Sequence, residues 1–285
     1  MSAGWRLRIS HVTEVRYRVP VRASFNEARM TPLALPGQAV LDAGLSVRAD
    51  GGSGDVMVRN YRDYWGTQVS AFEVPAAHDG LVIEATATVR TSGPPSPPAG
   101  ERPGWDEIRR TAAGGRLLEY LLPTRLTTLP PDAPAGRAGR TPDAAAHAIA
   151  ECARERVAFV PGATGVRTSA REAWGQGQGV CQDIAHVTVS LLRAAGLPAR
   201  YVSGYLHPRA DPAPGSTAAG QGHAWVEYWA GQWTPLDPTH GVPVGERHVI
   251  VARGRDYADV PPLKGIYHGA PDGAMNVTVE VTRLL

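Results

Sequence analysis

Lysine and cysteine are almost missing from this 285-residue chain: Lys264 is its single lysine, and Cys152 and Cys181 are its only thiols. Two cysteines make no disulfide framework, so the fold must rest on an apolar core, and the usage fits a reducing compartment. No run of about 18 apolar residues occurs, so no segment reads as a membrane-spanning helix. The opening "MSAGWRLRISHVTEVRYRVPV" carries charges every two or three residues and lacks the apolar stretch of a signal peptide. The expectation is a soluble, cytoplasmic protein. An excess of one charge is missing too, with 29 Lys and Arg against 27 Asp and Glu and no basic run. That balance speaks against a nucleic-acid partner. No C-x-x-C or H-x-x-x-H spacing supports a metal centre built from Cys181, His186, His223 and His240. Neither metal nor cofactor is expected.

What the chain does have is alternation. In "WRLRISHVTEVRYRV" and the residues after it, Leu7, Ile9, His11, Thr13, Val15, Tyr17 and Val19 share one face. "LDAGLSVRAD", "DVMVRNYRDYWG", "TQVSAFEV" and "LVIEATATVRT" repeat the pattern, punctuated by Gly, Asp and Pro. Short strands at this spacing predict an antiparallel sandwich or barrel over the first ninety residues. "TSGPPSPPAGERPG", 91–104, is the best boundary.

Beyond it the periodicity becomes helical. Thr141 is placed to cap a helix with Pro142 at its first position, and Cys152 falls on that helix's core face, as a buried free thiol commonly does. The clearest helix spans 181–195, where Ile184, Val187, Leu191, Leu192 and Ala195 form a stripe that Gly196 and Pro198 end. Cys181 opens it. A thiol attacks a carbonyl only as thiolate, and its free pKa of about 8.5 leaves little thiolate at neutral pH. A helix N-terminus and a nearby imidazolium both lower that value. Gly175, Gly177 and Gly179 would let the preceding backbone approach a substrate.

The imidazolium must come from elsewhere, because His186 lies across the helix from Cys181. "HAWVEYWA" and "QWTPLDPT" read as a hairpin, and His223 opens its first strand. With a three-residue loop at 229–231, His223 faces Asp237, whose carboxylate could take the Nδ1 proton and hold the tautomer. A one-residue slip would break this alignment. Each residue alone has a structural explanation: an inert helix-start cysteine, a packed histidine, a strand-ending Asp-Pro. Their order and spacing point to nucleophilic catalysis.

These stretches, "GVCQDIAHVTVSLLRAAGLPARYVSGYL", "HAWVEYW" and "WTPLDPTHG", resemble the transglutaminase-like superfamily in its bacterial cysteine-protease branch, and "RHVIVARGRDYADVPPLKGIYHG" is typical of that branch. "HVTEVRYRVPV", "EARMTPLALPGQ" and "DYWGTQVSAFEV" resemble the bacterial transglutaminase-like N-terminal region. The resemblance implies an α+β chain: an antiparallel β-sandwich-like domain over 1–95, a linker with short helices over 96–140, and a papain-like or transglutaminase-like catalytic domain over 141–285. In the last, the cysteine sits at a helix N-terminus packed on an antiparallel sheet.

It further implies Cys181 as nucleophile, His223 as general base and acid, and Asp237 as the orienting acid. The Cys181 N–H would serve an oxyanion hole, with Trp174, Gln176 or Gln178 as the second donor and Gln182 within the motif. Asp183 is expected to bond nearby backbone or arginine, and Arg200 and Tyr201 to be structural. Three positions depart from the branch: Val15, Thr67 and His240, the last placing a second imidazole near the site. The implied activity is hydrolysis of a peptide or protein amide through a thioester. Transfer to an amine, or a silent binding module, are the alternatives. One lysine argues against extensive self-crosslinking, and no EF-hand-type loop suggests calcium.

Overall fold

Period-two burial in the first strand places the N-terminal layer. In β1 (Trp5–Val21) Leu7, Ile9, His11 and Thr13 point inward while Arg8 and Arg16 are exposed. Val19, expected inward, is 55% exposed, because the pairing shifts register between Arg16 and Val21. The computed structural model describes residues 4–51, 56–92, 102–129, 133–134, 136, 138–220, 222–269 and 273–285. The Pro-rich boundary at 91–104 falls largely on 93–101, outside the described residues.

Five further strands follow: β2 (Ser24–Ala28), β3 (Gln38–Asp50), β4 (Val58–Arg62), β5 (Gln68–Val74) and β6 (His78–Thr91). Then come α1 (Trp105–Ala113), α2 (Pro142–Arg156), the short β7 (Ala158–Phe159), α3 (Ala170–Gln176), β8 (Gln178–Gly179) and α4 (Cys181–Ala194). The chain ends in β9 (Ala199–Leu206), β10 (Thr217–Gly220), β11 (Gly222–Trp229), β12 (Trp233–Leu236), β13 (His248–Gly254), β14 (Leu263–Tyr267) and β15 (Gly273–Arg283).

The strands form a five-stranded sheet β10-β15-β1-β6-β3 and two four-stranded sheets, β14-β2-β5-β4 and β12-β11-β9-β13, all with antiparallel neighbours. This is an α+β chain whose core is the sheet β12-β11-β9-β13 with α4 packed on it. The last strands leave that core and complete the N-terminal sheets: β14 pairs with β2, and β15 runs beside β1 from Leu7↔Arg283 to Tyr17↔Gly273. The physical reason is burial. Val279 and Val281 of β15 join Leu7 and Ile9 in the same apolar cluster as the α4 residues Ile184, Val187, Leu191 and Leu192. One core therefore spans both parts of the chain, and burying surfaces of this kind is the main favourable term in folding.

Polar ties reinforce the junction. Tyr205 of β9 donates to the Met30 carbonyl at 3.1 Å and meets His11 Nδ1 of β1 at 2.9 Å. Trp65, Tyr120 and Trp233 form a contiguous aromatic chain across the same boundary. In α2, Thr141 Oγ1 accepts the Ala144 N–H at 3.3 Å and caps the helix as its sequence predicts. Cys152 on that helix packs against the core, and burial pushes its thiol pKa up. It is a packing residue.

Candidate active site

Helix α4 starts at Cys181 because the chain before it is stapled in place. α3 ends on Gly177 at φ +68°, a left-handed C-terminal glycine, and Val180 is extended. Asp183, in the first turn, accepts the Val180 N–H at 2.8 Å and the Thr164 hydroxyl at 2.5 Å on Oδ2. This corrects the expectation for Gly179. A Cβ at Gly179 would lie 2.7 Å from Asp183 Cβ, so the residue is small to admit Asp183 rather than a substrate. Asp183 bonds backbone and a threonine, not an arginine, and burial raises its pKa despite both bonds. The N–H groups of Cys181 and Gln182 precede the first helical acceptor and bring the positive end of the helix dipole to the half-buried thiol.

The hairpin delivers the histidine and the carboxylate, two residues out of the expected register. Trp229 pairs with Trp233 and Val226 with Leu236, so the loop is 230–232 with Gly231 at φ +84°. Residues whose numbers sum to 462 face each other, and Asp237 falls beyond Leu236 on a diagonal from His223 rather than opposite it. The shift is by two, so both side chains stay on one face. Diagonal neighbours are farther apart than opposed ones, and the ring spans the gap with its distal nitrogen. His223 Nε2, not the expected Nδ1, meets Asp237 Oδ2 at 2.9 Å. The other ring nitrogen, Nδ1, takes no part in the contact with Asp237, and the Cys181 side chain lies near enough to raise the ring's pKa.

Trp225 forms the floor. Its ring stacks on His223 at 5.7 Å and meets His248 edge-on at 5.3 Å. It fits only because Gly204, paired with His223 across the sheet, has no Cβ: one there would lie 2.6 Å from Trp225 Cη2.

Asp237 is the hub. Its Oδ1 accepts the backbone N–H groups of Thr239 at 3.0 Å and His240 at 3.2 Å. Three imidazoles converge on Oδ2: His223 Nε2 at 2.9 Å, His240 Nδ1 at 3.0 Å and His248 Nε2 at 3.3 Å. Burial alone would raise this carboxyl's pKa, but the three imidazole contacts hold it far below the usual carboxylate range. Burial likewise pulls His223 down, yet Asp237 and Cys181 together raise it to about 9. An imidazolium at His223 is therefore compatible with neutral pH. His248, 1% exposed at its side chain, has its pKa lowered by burial against the pull of Asp237. His240 is open to solvent, with its ring 4.9 Å from that of His223.

His248 lies in a stretch that resembles the branch but is not marked there as a site residue; it reaches the site because β13 pairs with β9, His248 opposite Leu206. With His223 and Asp237 it forms a group of metal-ligand types whose donor atoms lie within 4.8 Å of one another. Its tautomer argues against ligation. Gly245 N–H donates to His248 Nδ1 at 3.2 Å, so the neutral ring carries its proton on Nε2, the nitrogen a metal would need. His186 is elsewhere: buried, its ring tilted against that of Tyr201 at 5.1 Å, accepting the Tyr257 N–H at 3.1 Å, its pKa lowered to about 3 by burial and then by Arg193.

The remaining residues singled out in the sequence are spread around the helix start. Trp174 is buried in the core under the Arg156 guanidinium, 5.3 Å from the ring centroid. Gln176 is exposed at the end of α3, and Gln178 is exposed on β8. Gln182 donates to the Val166 carbonyl at 3.4 Å beside Cys181. Arg200 is structural: it bonds Glu227 at 2.6 Å and covers the Trp233 ring at 4.0 Å.

The site thus combines a cysteine at a helix N-terminus with a bonded His–Asp pair carried by an antiparallel hairpin. The fold is shared with a solved structure described as a "Putative Cysteine Protease" from Cytophaga hutchinsonii, at TM-score 0.76 and 22% identity over 99% of this chain and 92% of that one. Residues 134–238 match the family model of the transglutaminase-like superfamily, and residues 7–90 that of the bacterial transglutaminase-like N-terminal region. The chain belongs to the transglutaminase-like superfamily and carries the N-terminal region of its bacterial members. A Mycobacterium leprae protein is 41% identical over 98% of this chain and 99% of its own length, and a Mycobacterium tuberculosis protein 33% identical over 99% and 94%. A Pseudomonas aeruginosa protein named protein-glutamine gamma-glutamyltransferase is 36% identical over 104 residues, which are 33% of this chain and 15% of that protein.

Proposed function

We propose that the protein is a cysteine-dependent amide hydrolase working through a thioester, with Cys181, His223 and Asp237 as its reacting unit. The observation that carries the reading is the 2.9 Å contact between His223 Nε2 and Asp237 Oδ2, with Cys181 near enough to the same ring to raise its pKa. The Cys181 thiolate attacks the carbonyl carbon of a peptide or protein amide, and the oxyanion that forms takes the Cys181 N–H as one donor. As the C–N bond breaks, His223 Nδ1 gives its proton to the departing amine and the acyl group remains on sulfur. Water then attacks the thioester, loses a proton to the same nitrogen, and releases the carboxylic acid and the thiolate. Asp237, held on Oδ1 by two backbone amides, keeps the ring aimed through both steps.

Transfer to an amine in place of water is the second reading, favoured by the similarity to the glutamyltransferase of P. aeruginosa over the core segment. Incubation of wild type and Cys181→Ala with a peptide library, with and without an added primary amine, separates the two. Hydrolysis predicts free acid in both conditions and none from Cys181→Ala. Amine incorporation that outpaces release of acid would establish transfer instead.

A further inference from the structure

Of the three imidazoles on Asp237, one differs in kind. His223 has Cys181 acting on its ring, and His240 is open to solvent. His248 is enclosed, and both of its nitrogens are committed: Nδ1 accepts the Gly245 N–H at 3.2 Å, and Nε2 lies 3.3 Å from Asp237 Oδ2. A second proton on Nδ1 would set two donors against each other in a buried site, which costs the full desolvation of an unmatched group. The ring is thus held as a neutral Nε2–H donor whatever His223 does during turnover.

We propose that His248 is a positioning residue of this site: locked by the Gly245 amide as the Nε2–H tautomer, it donates permanently to Asp237 Oδ2 and takes a share of the charge that Asp237 offers His223. The inference rests on the Cys181–His223–Asp237 reading above. A carboxylate with fewer donors is a stronger acceptor for those that remain, so without His248 the carboxylate would bind the His223 imidazolium more tightly. An imidazolium held too tightly is a poor acid for the leaving amine, because general catalysis is best with a pKa near the working pH. The ionisable groups facing this cluster are Cys181 from α4, His240 from the loop after β12, and Arg247 beside His248, besides Asp237 and His223 themselves.

The test follows alkylation of Cys181 by iodoacetamide against pH, read by peptide mass spectrometry on the full chain, with circular dichroism confirming the fold of each variant. In His248→Phe, which keeps ring volume and removes the donor, the upper transition where His223 loses its proton moves up by about half a pH unit or more. In His248→Gln, whose side-chain amide restores a donor at the Nε2 position, it returns to the wild-type value. A transition unchanged or lowered in His248→Phe overturns the proposal, as does equal behaviour of the two variants. Nitrogen-15 NMR of the wild-type histidines needs no variant to fold. His248 appears as the Nε2–H tautomer from pH 5 to 9, and titration of its ring in that range contradicts the proposal. A wild-type Cys181 no more reactive than a model thiol would instead sink the catalytic reading, and the NMR result separates the two failures.

Discussion

The Thr164 hydroxyl donates to Asp183 Oδ2 at 2.5 Å, tying the loop before α3 to the first turn of the helix that presents Cys181. Asp183 is fully buried, its Oδ1 has no hydrogen-bond partner among the described residues, and burial raises its pKa. Its ionised form therefore weighs against the folded state, and that burden grows as pH rises from the unfolded carboxyl value to the raised folded one. Thr164→Val removes a donor to the carboxylate, at a cost of about 1.5–3 kcal/mol at neutral pH. Denaturant unfolding at pH 7 and near pH 4 checks this: the loss shrinks at the lower pH, where more of the raised Asp183 carboxyl is protonated.

Glu227 sits on β11 two turns of the pleat from His223 and bonds two guanidiniums, Arg200 at 2.6 Å and Arg253 at 2.9 Å. Burial would raise its pKa, but the two arginines win and hold it below the usual range. A depressed carboxyl contributes stability above its unfolded pKa and loses it as pH falls further. Glu227→Ala strands two partly buried cations and costs about 3–5 kcal/mol, measured by urea unfolding at pH 7. The cost falls in acid.

For His223 the sign is opposite. Its folded pKa of about 9 exceeds the ordinary 6.5, so its contribution is full below pH 6.5 and disappears as pH rises through 9. Asp237→Asn removes the anion that sustains this shift. Thermal unfolding between pH 6 and 10 then shows a flatter profile than wild type, and kcat falls by on the order of 10²–10⁴-fold.

Gly204→Ala drives a methyl into Trp225 Cη2 and the Val249 carbonyl, and overpacking of this kind costs about 1–3 kcal/mol. Because Trp225 supports His223, activity falls more than stability does. Trp225→Phe in the same chain opens space and recovers part of the thermal stability, which a double-mutant cycle reads directly.

Features that depend on local rules are legible in the sequence. The α4 stripe, its start at Cys181 and its stop at Gly196 follow from periodicity and turn chemistry, and the helix spans Cys181–Ala194. The His223–Asp237 pairing tolerates the two-residue difference in register because a slip of two preserves the face, although it changes which nitrogen meets the carboxylate. Gly179 looks like a substrate-facing glycine in the sequence, yet the neighbour it accommodates is Asp183, one helical turn away. His248 is hidden for a different reason: it belongs to the site only through β13 pairing with β9, a long-range choice that no local pattern announces. The return of β14 and β15 to the N-terminal sheets is of the same kind.

The central claim is that Cys181 carries the acyl group. Rapid acid quenching after mixing with an activated acyl ester, followed by peptide mass spectrometry, tests it most directly. The account predicts an acyl adduct on the peptide containing Cys181 and none on Cys152, lost in Cys181→Ala and formed far more slowly in His223→Ala. Turnover that persists in Cys181→Ala, or an adduct on Cys152 alone, would contradict it.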